Sequence, residues 1–133
     1  MLSVYIHIPF CRSICTYCDF CKMLYNEKYV DNYLDCLEKE IKERYHNEPI
    51  KTIYIGGGTP SSLTIKELER LLSIIDTLNL EDNYEYTIEC NIEDINIDKI
   101  NLFISYGINR ISFGVESFDK SIQSILGRKH DED

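Results

Sequence analysis

The sequence has no tryptophan, only three prolines and two methionines, and far fewer bases than acids. Fourteen lysines and arginines stand against 23 aspartates and glutamates, a formal net charge of -9. Such a balance does not provide the basic face that a phosphate backbone requires, so nucleic acid is not an expected partner. No apolar run reaches the roughly 18 residues that would span a bilayer. The opening residues Met1-Leu2-Ser3-Val4 carry neither a basic segment nor a cleavage site, so no secretory leader is expected. Internal repeats and low-complexity stretches are missing too. What remains is a chain of 133 residues, 44% hydrophobic and 28% charged, the composition of an ordinary globular domain. Its expected location is the cytoplasm.

Cysteine, by contrast, is crowded. Six are present, Cys11, Cys15, Cys18, Cys21, Cys36 and Cys90, and four of them fall within eleven residues. In a reducing compartment this crowding points to metal or cluster ligation rather than to disulfides.

The hydrophobic pattern predicts a strand at 4–8, closed by Pro9, and a helix over 27–45 with Val30, Tyr33, Leu34, Leu37 and Ile41 on one face. A second strand at 52–55 is halted by Gly56, Gly57 and Gly58. Thr64 and Glu67 have capping-box spacing, and Leu68, Leu71, Leu72 and Ile75 share one face of the helix that follows. A third strand at 84–89, a helix at 100–106 stopped by Gly107, a fourth strand at 110–115 and a helix opened by Asp119 complete the series. Strand and helix alternate four times, so the fold class is α/β, with a parallel sheet and right-handed crossovers. The strand ends carry the unusual residues: cysteines, glycines, Glu89 and Glu116. Ligands gather at that end of parallel sheets. Four β/α units cannot close a barrel, so the chain reads as truncated. Residues 1–133 are then the N-terminal part of a core domain whose remaining strands and C-terminal domain are absent.

The spacing Cys11-x3-Cys15-x2-Cys18, on a loop at 9–21, lets three thiolates each reach a different iron of one 4Fe–4S cubane and leaves the fourth iron open. A zinc site completed by Cys21 has overlapping spacing, and spacing alone does not separate the two. Gly56-Gly57-Gly58 after a strand admits positive φ angles and close approach of backbone N–H groups to a ligand. Glu89 at the end of an apolar strand is either an uncompensated charge or a ligand contact.

The motifs around these residues carry a family resemblance. Tyr5-Ile6-His7-Ile8-Pro9-Phe10-Cys11 leads into the loop, and Thr16-Tyr17 precedes its third cysteine. Gly56-Gly57-Gly58-Thr59-Pro60-Ser61, Thr87-Ile88-Glu89-Cys90-Asn91 and the run from Gly107 to Phe118, then Leu126-Gly127-Arg128-Lys129-His130, follow in order. Over nearly the whole chain this resembles radical S-adenosylmethionine proteins, in the branch of oxygen-independent coproporphyrinogen III oxidases and haem chaperones.

The resemblance implies a partial (β/α) barrel and a 4Fe–4S cluster on Cys11, Cys15 and Cys18. It also implies S-adenosylmethionine contacts from Tyr5, Tyr17, Gly57, Gly58, Thr59, Glu89, Glu116 and Arg128. The chemistry implied is one-electron cleavage of the sulfonium to methionine and a 5′-deoxyadenosyl radical. In the oxidases that radical starts decarboxylation of porphyrinogen propionates, whereas the chaperones bind haem and deliver it. A flavodoxin- or ferredoxin-type electron donor and porphyrin or haem are the implied partners, haem being held by the C-terminal part of full-length members.

Several positions depart from the family pattern. Glu116 stands where the family has Gln, and a carboxylate cannot donate as an amide does. Ile92 replaces a usual Pro. Phe20 occupies the place of the oxidases' fourth cysteine, and Asp19-Phe20 is the haem-chaperone form. The chain also starts only a few residues before its first strand, without the oxidases' extension. The haem-chaperone-like reading is therefore preferred, with a true oxidase or an inactive metal-binding fragment as alternatives, and catalysis by this chain left open. Cys21 reads as a spare thiol, Cys36 and Cys90 as packing residues, His46 and His130 as surface residues, and His7 receives no role.

Overall fold

Strand β1 (Leu2–Ile8) buries Ile6 and Ile8 while Ser3 and Tyr5 stay exposed, the alternation of a sheet covered by helices on one face. The computed structural model describes residues 1–128. After β1 come two short strands, β2 (Phe10–Cys11) and β3 (Met23–Leu24), which pair in parallel with each other around the cysteine loop. Helix α1 (Glu27–Arg44) follows, then β4 (Ile50–Gly57), α2 (Ile65–Ile75), β5 (Leu80–Asn91), α3 (Ile97–Ser105), β6 (Arg110–Gly114) and α4 (Lys120–Leu126). The main sheet has the order β1-β4-β5-β6 and every pairing is parallel. The expected α/β architecture of four strands with helical crossovers is what the chain adopts.

Helix ends fall where the sequence supplies caps. Asn26 accepts from the amides of Lys28 and Tyr29 at the start of α1. Thr64 and Glu67 form the full capping box of α2, and Asn96 accepts from Lys99 to open α3 three residues before the expected start. Strand β4 is longer than the apolar run because Gly56 and Gly57 continue its pairing, opposite His7 and Ile8 of β1. Strand β5 also begins earlier, at Leu80, and the tiny β2–β3 pair was not expected.

One apolar cluster joins these elements. Val30 and Leu34 of α1, Leu68, Leu71, Leu72 and Ile75 of α2, and Phe103 of α3 meet Ile8, Ile53, Ile55 and Ile88 of the sheet. Each such side chain, fully buried, stabilises the fold by about 1.5–3 kcal/mol. Helices α1, α2 and α3 pack side by side, so the opposite face of the sheet is left to Tyr5, Tyr54, Glu89 and Ser112. Cys90 belongs to the core as expected, but Cys36 does not: it is exposed on the outer side of α1. His46 is exposed, and Lys129 and His130 lie outside the described residues. Among the described residues no helix is long and apolar enough to cross a membrane.

Candidate functional site

The carboxyl ends of β4, β5 and β6, where a parallel sheet gathers its ligands, and the loop that follows β2 surround a cavity of about 220 Å³. Cys11, Cys15 and Cys18 line it together, and with them Tyr17. From the strand ends come Gly57, Gly58, Thr59, Glu89 and Glu116, and Arg128 enters from just beyond α4. Of the residues expected to contact a cofactor, Tyr5 alone stands outside this lining. It stacks on Tyr54 with ring centroids 6.1 Å apart.

The cysteine loop is held mostly by backbone hydrogen bonds. Met23 donates to the Pro9 carbonyl at 2.7 Å and Tyr25 to that of Cys11 at 2.8 Å, which closes the loop on itself. The Phe10 carbonyl accepts from the Thr59 amide at 2.8 Å and from Ser62 Oγ at 3.0 Å, which ties the loop to the turn after β4. Arg12 donates to the Ser62 carbonyl at 2.8 Å while its guanidinium lies 3.6 Å from the centroid of the Tyr25 ring. Tyr25 in turn donates to Glu67 at 2.7 Å, so the acid that caps α2 also anchors the loop.

His7 acquires a role that the sequence did not reveal. Its Nε2 lies 2.8 Å from the Cys21 carbonyl, which can only accept, so Nε2 carries the proton. Nδ1 is then the acceptor for the Tyr5 hydroxyl at 2.9 Å. The far end of the loop is thereby pinned to β1. The backbone there leaves no room for side chains opposite. A Cβ on Gly57, whose φ is +127°, would lie 2.7 Å from the Ile8 carbonyl oxygen. One on Gly58 would lie 2.9 Å from Cys11 Sγ.

The polar groups of the wall form a connected set. Thr59 Oγ1 donates to Cys11 Sγ at 3.3 Å and accepts from Asn91 Nδ2 at 3.2 Å. Asn91 Oδ1 accepts from Arg128 Nη1 at 3.0 Å, and Arg128 Nη2 donates to the Gly114 carbonyl. Arg128, although it follows the end of α4, is only 7% exposed. Its Nε is 3.6 Å from a Glu93 oxygen and makes no hydrogen bond. Glu89 is not an uncompensated charge: Tyr54 donates to it at 2.6 Å and the Gly57 amide at 3.2 Å. Glu116 has a φ of +62°, a left-handed conformation that a non-glycine side chain adopts at a cost and that clusters at functional sites. Asn91, Ser112 and Lys22 also line the cavity, and sequence reading had assigned them nothing. Asn91 was the recoverable one, two residues beyond Glu89 in the same motif.

Electrostatics follow from this packing. Burial pushes the Cys11 thiol up, the neighbouring Cys18 and Cys15 add to the rise, and Thr59 and Lys22 work against it. Burial also raises the Tyr17 hydroxyl, aided by a hydrogen bond with Cys15. Arg128 is lowered by burial, but Glu93 and a hydrogen bond with Cys15 outweigh that and leave it raised. All six cysteines are free thiols. Among the described residues no three His, Cys, Asp or Glu side chains converge on a single-ion site; the three loop thiols stand around the cavity wall instead. That donor set suits a cluster whose irons take one thiolate each, and the same wall carries the buried Arg128 Nε, which has no hydrogen-bond partner among the described residues.

The profile of the Radical SAM superfamily matches residues 5–133. The chain belongs to the Radical SAM superfamily. Within it, the heme chaperone HemW of Lactococcus lactis is 44% identical over 98% of this chain and 34% of its own length. The heme chaperone HemW of Bacillus subtilis is 40% identical over 98% of this chain and 36% of its own. The oxygen-independent coproporphyrinogen III oxidase of Salmonella typhimurium is 33% identical over 99% and 30%. The solved coproporphyrinogen III oxidase HemN of Escherichia coli superposes with a TM-score of 0.89 at 32% identity, over 98% of this chain and 31% of that one. The chain therefore spans about a third of the length of the relatives it matches. Its four strands correspond to part of the Radical SAM fold seen in HemN.

Proposed function

We propose that this Radical SAM chain holds a 4Fe–4S cluster through Cys11, Cys15 and Cys18 and binds S-adenosylmethionine in the cavity beside it. The observation that carries this reading is that one cavity collects all three cysteines with Gly57, Gly58, Thr59, Glu89 and Arg128. The pair, when bound, supplies one-electron cleavage of the sulfonium C–S bond. The chain's own residues bind and orient. The carboxylates of Glu89 and Glu116 would accept from the ammonium and the sugar hydroxyls, while Arg128 offers a buried guanidinium to a carboxylate. Tyr17 covers the cavity from the loop side, and Tyr5 acts through Tyr54 and His7.

The biological role we assign is that of a haem-chaperone-like protein of porphyrin and haem metabolism, served by a flavodoxin- or ferredoxin-type donor in the cytoplasm. Identities of 44% and 40% to two heme chaperones, against 33% to an oxidase, support it, as does Phe20 in the place of the oxidases' fourth cysteine. Six free thiols suit a reducing compartment. Anaerobic reconstitution with iron and sulfide, followed by EPR of the reduced protein, tests the site. A 4Fe–4S signal altered by S-adenosylmethionine is the expected result. Zinc in place of iron, or a signal indifferent to the cofactor, would refute it. Haem titration against free porphyrin, on a version extended to the length of the relatives, then separates the chaperone reading from the oxidase.

A further inference from the structure

Lys22 and Arg128 are the two cations that line the cavity. Arg128 stands beside Glu93 and is fastened to the strand ends through Asn91 and Gly114. Lys22 is different. It lies on the cysteine loop itself, half-buried, and its ammonium donates to the Cys18 carbonyl and, at 3.5 Å, to that of Phe20. Both acceptors are neutral, and among the described residues no carboxylate pairs with Lys22. An ammonium tethered to backbone carbonyls thus belongs to a residue that lines the space ringed by three thiols, a space it shares with the carboxylates of Glu89 and Glu116.

We propose that Lys22 sets the reduction potential of the cluster that the loop holds; this rests on the cluster reading above. Three thiolates make the bound group anionic, and reduction adds one more negative charge without moving a proton or breaking a bond in the protein. A fixed cation nearby stabilises the reduced form more than the oxidised one, so it raises the potential. Carbonyl tethering matters because a side chain free to swing into water would be screened. Lys22 therefore makes the cluster easier to reduce by an external one-electron donor, before any second ligand is bound.

The test compares the wild type, Lys22→Gln and Lys22→Arg, each reconstituted anaerobically with iron and sulfide. Iron and sulfide content are measured first, then EPR-monitored potentiometric titration with dithionite. Gln keeps a donor for the carbonyls and removes the charge; Arg keeps the charge. The expected result is equal loading, a roughly tenfold shift of the reduction equilibrium toward the oxidised form in Lys22→Gln, about 59 mV for one electron, and a near-native potential in Lys22→Arg. A potential unchanged in Lys22→Gln would overturn the proposal while leaving the cluster reading intact. Loss of loading in both variants would also overturn it, since Lys22 would then be a peg for the loop. Loading lost in Lys22→Gln and restored in Lys22→Arg would overturn it as well, since the charge would then serve assembly of the cluster rather than its potential. A wild type that takes up no cluster would sink the cluster reading and this inference with it.

Discussion

The helix-packed side of the sheet and the cavity at its carboxyl end are held by different forces. Behind the sheet, Leu34, Leu68, Leu71, Ile53, Ile55 and Ile88 are fully or almost fully buried, and the stabilisation is side-chain burial that is indifferent to hydrogen bonding. At the cavity, Phe10, Pro9, Ile8 and Ser62 offer backbone carbonyls to donors from other segments, and side chains serve mainly as braces. A core of the first kind degrades gradually when volume is removed. A wall of the second kind depends on backbone position, so small changes in shape matter there more than changes in apolar area.

The comparison can be broken from either side. Leu71→Ala, at a fully buried core position, is expected to lower global stability by about 4 kcal/mol, with cluster content per folded molecule unchanged. Denaturant melts beside iron analysis would show this. Gly57→Ala imposes a side chain at φ +127° against the Ile8 carbonyl, and is expected to cost about 3 kcal/mol and also to abolish loading. A variant that kept its cluster would mean the wall adapts as a core does. Glu67→Ala removes one half of the capping box of α2 and the partner of Tyr25 in one step, for about 2 kcal/mol, and should loosen the loop as well. Limited proteolysis at 12–22 reads that second effect.

At neutral pH the smallest effect is that of a titration confined to alkaline solution. Burial pushes the Cys90 thiol up to about 12 from an ordinary 9.0. The folded state thus favours the protonated form, so this contribution is complete below pH 9 and is lost as pH rises from there toward 12. Cys90→Ala should flatten the alkaline limb of the stability profile in that window. In the native protein at pH 8, iodoacetamide should label the exposed Cys21 and Cys36 well before Cys90.

Local chemistry made the architecture readable. Thr64 with Glu67 announced the start of α2, and Leu68, Leu71, Leu72 and Ile75 announced its inner face, because caps and helical period are properties of neighbours in sequence. The cysteines and glycines likewise marked the strand ends. What was not readable depends on partners far away along the chain. The bond from His7 to the Cys21 carbonyl spans the loop, and nothing in Tyr5-Ile6-His7 reveals it. Strand β4 runs past its apolar residues because β1 accepts glycines as neighbours there, a fact of pairing rather than of propensity. Cys36 was misjudged because a helical cysteine is usually inward, while here the inward positions of α1 are taken by Val30, Leu34 and Leu37.

The Phe10 carbonyl, which accepts both the Thr59 amide and the Ser62 hydroxyl, has a kinetic consequence. The cysteine loop and the glycine turn share that oxygen, so one cannot swing outward while the other stays in place. In hydrogen exchange the amides of Gly58, Thr59, Met23 and Tyr25 should therefore open together, as one latch with a single opening free energy below that of the whole domain. The frequency with which that latch springs, rather than the static exposure of any one thiol, would then govern how fast iron reaches Cys11.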